Sequence, residues 1–214
     1  MNLRYDIKND INTKTYICFR QTTNNNLDSI KTILEEDDKI NLFPNNEHVN
    51  PYNSYKNVKD YIYSSIVNSK FLCKGLNSDY VLDAFNTVDA VVIIGSSMNI
   101  LPNGNIFGFS LINFDETTNS IYIDVICSHI GIKSAGGILI NEIEHICKKL
   151  FMTKIYLNSV KRAILFYKKY GFTKQDELCD NLCLMTKSIN KIYDGQKGKQ
   201  TKKSRKVKKR QNGV

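Results

Sequence analysis

The residues best suited to chemistry lie between Ile121 and Phe172, in the stretch IYIDVICSHIGIKSAGGILINEIEHICKKLFMTKIYLNSVKRAILFYKKYGF. An apolar, strand-like run carries one carboxylate, Asp124, and leads to a loop of small residues, Lys133-Ser134-Ala135-Gly136-Gly137, that opens a helix. Small residues let backbone approach a ligand closely. The first N–H groups of a helix lack intrahelical partners and have the positive end of the helix dipole behind them, so such a loop can hold a phosphate or pyrophosphate. The same residues also suit a tight strand-to-helix turn with no ligand.

Other phosphate-binding motifs fit poorly. Gly131 and Gly136 have the outer spacing of a P-loop, but Gly137-Ile138 stand where a Lys-Ser/Thr pair must be, and no GxGxxG follows a strand. These absences disfavour an NTPase or a dinucleotide oxidoreductase. Asp124, inside an otherwise apolar strand, is a candidate base whose pKa burial would raise; a water-exposed cross-strand partner explains it equally. His129 is a second candidate base. Glu142, Glu144 and His145 share a helix but lack HExxH order, and three histidines in the chain give no zinc spacing, so no metal is expected. Cys127 reads as a buried strand thiol rather than a nucleophile paired with His129, because nothing near it in sequence would lower its pKa.

The elements that must position these residues follow from periodicity. Residues 15–20 read as a first strand and 26–34 as a helix with Ile30, Ile33 and Leu34 on one face. Residues 43–57 are polar and proline-containing and read as a long loop, with a helix over 58–66. Ala90–Ile94, Ile106–Asn113 and Ser120–Cys127 are β-rich runs separated by turn residues, which predicts an antiparallel meander. A helix over 136–150 has Leu139, Ile143, Ile146 and Leu150 on one stripe. A strand over 154–157, a helix over 162–170 stopped by Gly171, and a strand over 182–185 complete a mixed α/β order around one central sheet.

Residues 163–172, AILFYKKYGF, resemble the A-x-x-F-Y-x-x-x-G-F signature of the GNAT superfamily of N-acetyltransferases, and they follow the strand–loop–helix of 121–150 at about the family's distance. The resemblance covers residues 15–184 by element order and 121–172 by motif. It implies a single mixed α+β domain with a central, mostly antiparallel sheet that splays open between its fourth and fifth strands, flanked by helices, with acetyl-CoA as co-substrate in the cleft. It further implies that the backbone of Ile126 and Cys127 pairs with pantetheine and that the pyrophosphate rests on the amides of Lys133, Ser134, Ala135, Gly136 and Gly137. Tyr167 matches the family's tyrosine, a general acid for departing CoA; a core aromatic is the alternative at that position. Two departures stand out. Ser134 and Gly131 occupy the inner Gly and the Q/R positions of the family's Q/R-x-x-G-x-G/A loop, and Val160 stands where an Asn is usual.

The expected division is an N-terminal extension over 1–13, an acetyltransferase domain over 14–186 and a disordered basic tail over 187–214. The net charge is +9, and the tail alone holds eleven Lys/Arg against one Asp, so the remainder is close to neutral. The stretch 199–210, KQTKKSRKVKKR, lacks aromatics and suits a nuclear localisation signal, a sequence-blind nucleic-acid arm or a solubilising tail. No apolar run reaches the length of a membrane span, no secretory leader is visible at the start, and six scattered cysteines read as reduced thiols. The expectation is an intracellular enzyme, cytoplasmic or nuclear, whose acceptor is an amine on a small molecule or on a protein; the alternative is a catalytically weak or inactive binding module of the same fold that acts through its basic tail on nucleic acid or an acidic partner. Glu47, His48, Tyr52 and Tyr55 are candidates to line the acceptor site, and a solvated loop explains them equally.

Overall fold

The computed structural model describes residues 5–6, 13–20, 25–42, 55–68, 72–73, 76–95, 106–176 and 179–189. The strands are β1 (Tyr5–Asp6), β2 (Lys14–Phe19), β3 (Ile40–Leu42), β4 (Ala90–Gly95), β5 (Ile106–Asp115), β6 (Ser120–Ser128), β7 (Ile132–Lys133), β8 (Lys154–Val160), β9 (Thr173–Lys174) and β10 (Leu182–Ser188). The helices are α1 (Asn25–Glu35), α2 (Tyr55–Asn68), α3 (Ser78–Thr87), α4 (Ala135–Lys149) and α5 (Ile164–Lys169). Among the described residues, no helix is long and apolar enough to cross a membrane.

Eight strands form one sheet in the order β3-β2-β4-β5-β6-β8-β10-β9. Only the β2–β3 and β6–β8 pairings are parallel; the rest are antiparallel. The expected meander is β4-β5-β6. Strand β4 (AVVIIG) is buried along its whole length, because helices cover both faces of the sheet. Alternate residues of β2 and β4 serve two cores. Ile17, Phe19, Ala90, Val92 and Ile94 pack with α1 and α4. Tyr16, Cys18, Val91 and Ile93 pack with α2 and α3 on the other face.

Helix α4 buries Leu139, Ile143 and Ile146 as its spacing predicts, together with Ile140 and Cys147. In α1, Leu27, Ile30 and Leu34 form the buried stripe, whereas Ile33 is exposed. The hairpin between β5 and β6 closes on Asp115, whose carboxylate accepts from the Thr118 backbone N–H and hydroxyl, with Asn119 at φ 50° completing the turn.

The structure departs from the sequence reading at several elements. Helix α3 was not expected; it is capped by Asn77, whose side chain accepts from the Asp79 N–H, and it buries Val81, Ala84 and Phe85. Helix α2 begins at Tyr55, inside the stretch read as loop, because Tyr55 is buried and donates its hydroxyl to the Phe85 carbonyl. The helix predicted over 162–170 divides into a 3-10 turn at Lys161–Ala163 and α5. Strand β10 continues to Ser188 and Ile189 is buried, so the folded chain passes the boundary set at 186. The N-terminal extension supplies β1, which pairs in parallel with β7 (Tyr5 opposite Ile132, Asp6 opposite Lys133).

The thiols also differ from expectation. Cys73 pairs with Cys127 and Cys179 with Cys183, leaving Cys18 and Cys147 as buried thiols outside any disulfide. A separation of 54 residues hides the first pair in sequence, and folding brings its Cα atoms to 5.1 Å. Residues 199–210, together with Glu47, His48 and Tyr52, lie outside the described residues.

Candidate active site

The site is organised by two irregularities in β6. The first is a splay. β6 pairs with β8 from Ser120–Lys154 to Ile123–Leu157 and no further, so Asp124 to Ser128 and Asn158 to Val160 diverge. The backbone polar groups along the open edge of β6 are free to pair with an extended ligand, as at any exposed strand edge. The second is a bulge. Leu111 pairs with Val125 and Ile112 with Ile123, which leaves Asp124 as the extra residue. Ile121 and Ile123 lie in the α1/α4 core, while Val125 and Cys127 lie in the α2/α3 core. Ile126 turns to the α4 side.

A cavity of about 300 Å³ fills the splay. Its β6 wall is Asp124 to Ser128, its other wall Asn158 to Val160 with Arg162, Ala163 and Tyr167, and its rim includes Leu76 and Tyr80. The expected residues Asp124, Ile126, Cys127 and Tyr167 therefore meet in one cleft. Tyr80 and Arg162 join them unannounced.

Asp124 is half-buried, between the buried-base and water-exposed readings left open by its sequence. Its Oδ1 accepts from the Tyr80 hydroxyl at 2.7 Å. Burial, then that hydrogen bond and the Asp124 charge, push the Tyr80 phenol up, so it stays a donor. On the same side of the sheet the Tyr122 ring packs tilted against Tyr156 with ring centroids 4.9 Å apart, and the Asn158 amide donates to the Tyr122 hydroxyl.

Tyr167 is buried on α5, edge-on to Phe166 and Phe172 at 5.1 and 5.7 Å. Its hydroxyl has no hydrogen-bond partner among the described residues, and burial raises its pKa well above the usual phenol range. The alternative readings of Tyr167 merge here: the ring belongs to the core and the residue lines the cleft. Gly171, at φ 84°, ends the helix as expected, with its N–H bonded to the Lys168 carbonyl.

The small-residue loop runs from β7 into α4. Ser134 is the N-cap in left-handed conformation, φ 73°, and its side chain makes no cap hydrogen bond. That backbone explains why glycine suits the position. No acidic residue occupies the first turn of α4, and Ser134 O already accepts from Ile138 N, so the preceding first-turn amides end the helix without a side-chain cap. Lys133 is exposed at the end of β7. The two glycines serve packing. A Cβ on Gly137 would fall 1.9 Å from the Tyr170 hydroxyl, and one on Gly136 would fall 3.1 Å from Phe166 Cζ and 3.7 Å from Ser128 Oγ. Absent side chains thus bring α4 against α5 and the end of β6.

Several candidates prove structural. His129 Nδ1 accepts from the Gly131 N–H at 3.0 Å, and burial lowers its pKa. Cys127 is buried and disulfide-bonded, which closes the nucleophile reading. Glu144 pairs with Lys148 and Lys187, and His145 Nε2 lies 2.6 Å from Asp37 Oδ2. Among the described residues no group of three or more His, Cys, Asp or Glu is placed to hold a metal ion. Tyr55 belongs to the α2/α3 core and not to an acceptor site.

No protein-family model matches the chain, and no curated protein sequence does. Solved structures similar to it include a putative N-acetyltransferase from Lactobacillus plantarum, 12% identical over 62% of this chain and 89% of that one, TM-score 0.47. Ard1 from Thermoplasma volcanium is 18% identical over 64% and 95%, TM-score 0.46. A GNAT family acetyltransferase from Elizabethkingia anophelis, with acetyl-CoA bound, is 17% identical over 50% and 81%, TM-score 0.41.

Proposed function

We propose that the protein is an acetyl-CoA-dependent N-acetyltransferase that passes an acetyl group directly to a primary amine in a ternary complex. The observation that carries this reading is the splay between β6 and β8, with Asp124 on one wall of the cavity and Tyr167 on the other. Acetyl-CoA supplies an activated thioester. The open edge of β6 at Ile126 and Cys127 suits an extended amide-bearing arm, and the amides of Lys133 to Gly137 suit its pyrophosphate. Asp124, through its Oδ2 or a water, accepts the proton that the amine must lose, while Tyr80 holds Oδ1. Attack of the amine nitrogen on the carbonyl carbon breaks the carbon–sulfur bond and puts charge on sulfur. Tyr167 donates a hydrogen bond there. Burial raises the pKa of this phenol, so it stays protonated and a donor toward the departing sulfur.

Thermal unfolding of the full chain with acetyl-CoA, CoA and ATP at matched concentrations tests the donor. A ligand at ~100 times its Kd adds about 2.7 kcal/mol, roughly 5–10 °C for a domain of this size. A shift with both CoA species but not ATP supports the reading; no shift with any of them overturns it. The charge of residues 187–214 favours a second role for the same chain, non-specific binding of nucleic acid through 199–210. Its test is loss of binding to a mixed-sequence duplex between about 50 and 200 mM salt and on deletion of residues 190–214.

A further inference from the structure

The Cys73–Cys127 bond lies in the wall of the cleft, where both residues line the cavity. Cys127 is the penultimate residue of β6, and Cys73 belongs to the short stretch that leads into α3. That stretch meets the end of β6 twice, through the disulfide and through an antiparallel bridge between Leu72 and His129. The backbone at Cys73 is left-handed, φ 58°, a conformation that disfavours any residue with a Cβ, so the chain is held there against its local preference. The Leu76 N–H returns to the Cys73 carbonyl, Asn77 caps α3, and Tyr80 in the first turn of α3 reaches Asp124. The bond and the Tyr80–Asp124 contact thus both join the start of α3 and the residues before it to β6.

We propose that Cys73–Cys127 is a redox-sensitive clamp that holds the start of α3 over β6 and thereby keeps Tyr80 on Asp124. In the oxidised form the proton-accepting carboxylate of the cleft is ordered; in the dithiol form α3 is released from β6. The proposal rests on the acetyltransferase reading for its effect on the reaction, not for the clamp itself. The switching reagent is a dithiol reductant. One of its thiolates attacks a sulfur of the pair, the Cys73–Cys127 bond breaks, and the departing cysteine takes a proton. The second thiol of the reductant then displaces the other cysteine. The protein gains two electrons and two protons as two thiols, and the reductant leaves as a disulfide.

Hydrogen exchange of the full chain, read by mass spectrometry before and after dithiothreitol, tests the clamp. Alkylation under denaturing conditions counts thiols alongside. The expected result is exchange over residues 78–87 faster by about ten-fold or more after reduction, with 90–95 and 106–115 unchanged and protection restored by glutathione disulfide. Cys73→Ser should show the fast exchange without reductant and no response to it, which separates this pair from Cys179–Cys183. Unchanged exchange over 78–87 in a sample whose thiols are all freed overturns the proposal, as does failure of glutathione disulfide to pair Cys73 with Cys127. Thermal shifts with acetyl-CoA on both forms separate the two readings. A clamp that responds in a protein that binds no acetyl-CoA leaves the clamp standing and removes the acetyltransferase.

Discussion

Replacing Gly137 by alanine sets two effects of opposite sign against each other. In an exposed helix the change stabilises by roughly 0.5–1 kcal/mol, since glycine loses more backbone entropy on folding. Here the new Cβ would stand 1.9 Å from the Tyr170 hydroxyl, 2.5 Å from its Cζ and 3.0 Å from its Cε1, so the ring must leave. Moving it sacrifices the contact with Phe166, whose centroid lies 5.0 Å away, and pulls on α5, because Tyr170 N–H bonds to the carbonyl of Tyr167. Overpacking of this kind costs about 1–3 kcal/mol, so the net expectation is a loss of roughly 1 kcal/mol and a Tm lower by about 2–4 °C. The shift given by acetyl-CoA should shrink as well, because α5 carries Tyr167. Gly136→Ala is the control: Phe166 Cζ, at 3.1 Å, has only to give a few tenths of an ångström, and the two effects nearly cancel. In a Tyr170→Ala background the clash is gone and Gly137→Ala should stabilise, a coupling of at least about 1 kcal/mol in a double-mutant cycle followed by calorimetry. A Gly137→Ala protein that gains the same stability with and without the Tyr170 ring would refute the packing account of this loop.

Ser134→Gly should raise Tm by about 2–3 °C in a thermal melt, because relief of the left-handed backbone outweighs the entropy of glycine by roughly 0.5–1 kcal/mol and no cap hydrogen bond is lost. Tyr167→Phe keeps the ring contacts with Phe166 and Phe172, so calorimetry should find stability within about 0.5 kcal/mol of the parent, while kcat for acetyl transfer falls about 10²-fold with KM for acetyl-CoA little changed. An unchanged kcat would take Tyr167 out of the chemistry. Asp37 supplies a pH test: burial acts to raise its pKa, but the Lys39 N–H, His145 and Lys149 outweigh that and hold it below the usual range. A depressed folded pKa means stability that is present above the unfolded value of about 3.9 and lost as pH falls through the folded one. Urea unfolding of Asp37→Asn against the parent should therefore show a gap at neutral pH that closes in acid, and a gap independent of pH would refute the ion-pair account.

What could be read from sequence was whatever local periodicity fixes. The uninterrupted apolar run of β4, the turn residues around Asp115 and the stripe of α4 each require one environment, and they have it. Helix α3 escaped because only Val81, Ala84 and Phe85 of its ten residues are buried, between Asp79 and Asn86, and its burial is set by the sheet it lands on. The left-handed backbone of Ser134 was foreshadowed only by the motif, in which glycine holds that place. Tyr80 gave no signal at all: its partner is 44 residues away, and nothing local distinguishes it from any helix-surface tyrosine.

The bulge at Asp124 shows why a regular pattern can still mislead. Ile121, Ile123, Val125 and Cys127 keep a strict period of two, which places all four on one face of an unbroken strand. Pairing with β5 leaves one residue of β6 over, and that extra residue sends Ile121 and Ile123 to the α1/α4 core but Val125 and Cys127 to the α2/α3 core. Without it Cys127 would face α4 and could not reach Cys73, and Ile126 would turn away from the loop before α4. One inserted position therefore makes the disulfide possible and sets the open edge of β6 beside the helix terminus. Each of those features depends on how two strands count against each other, and no reading of β6 alone contains that count.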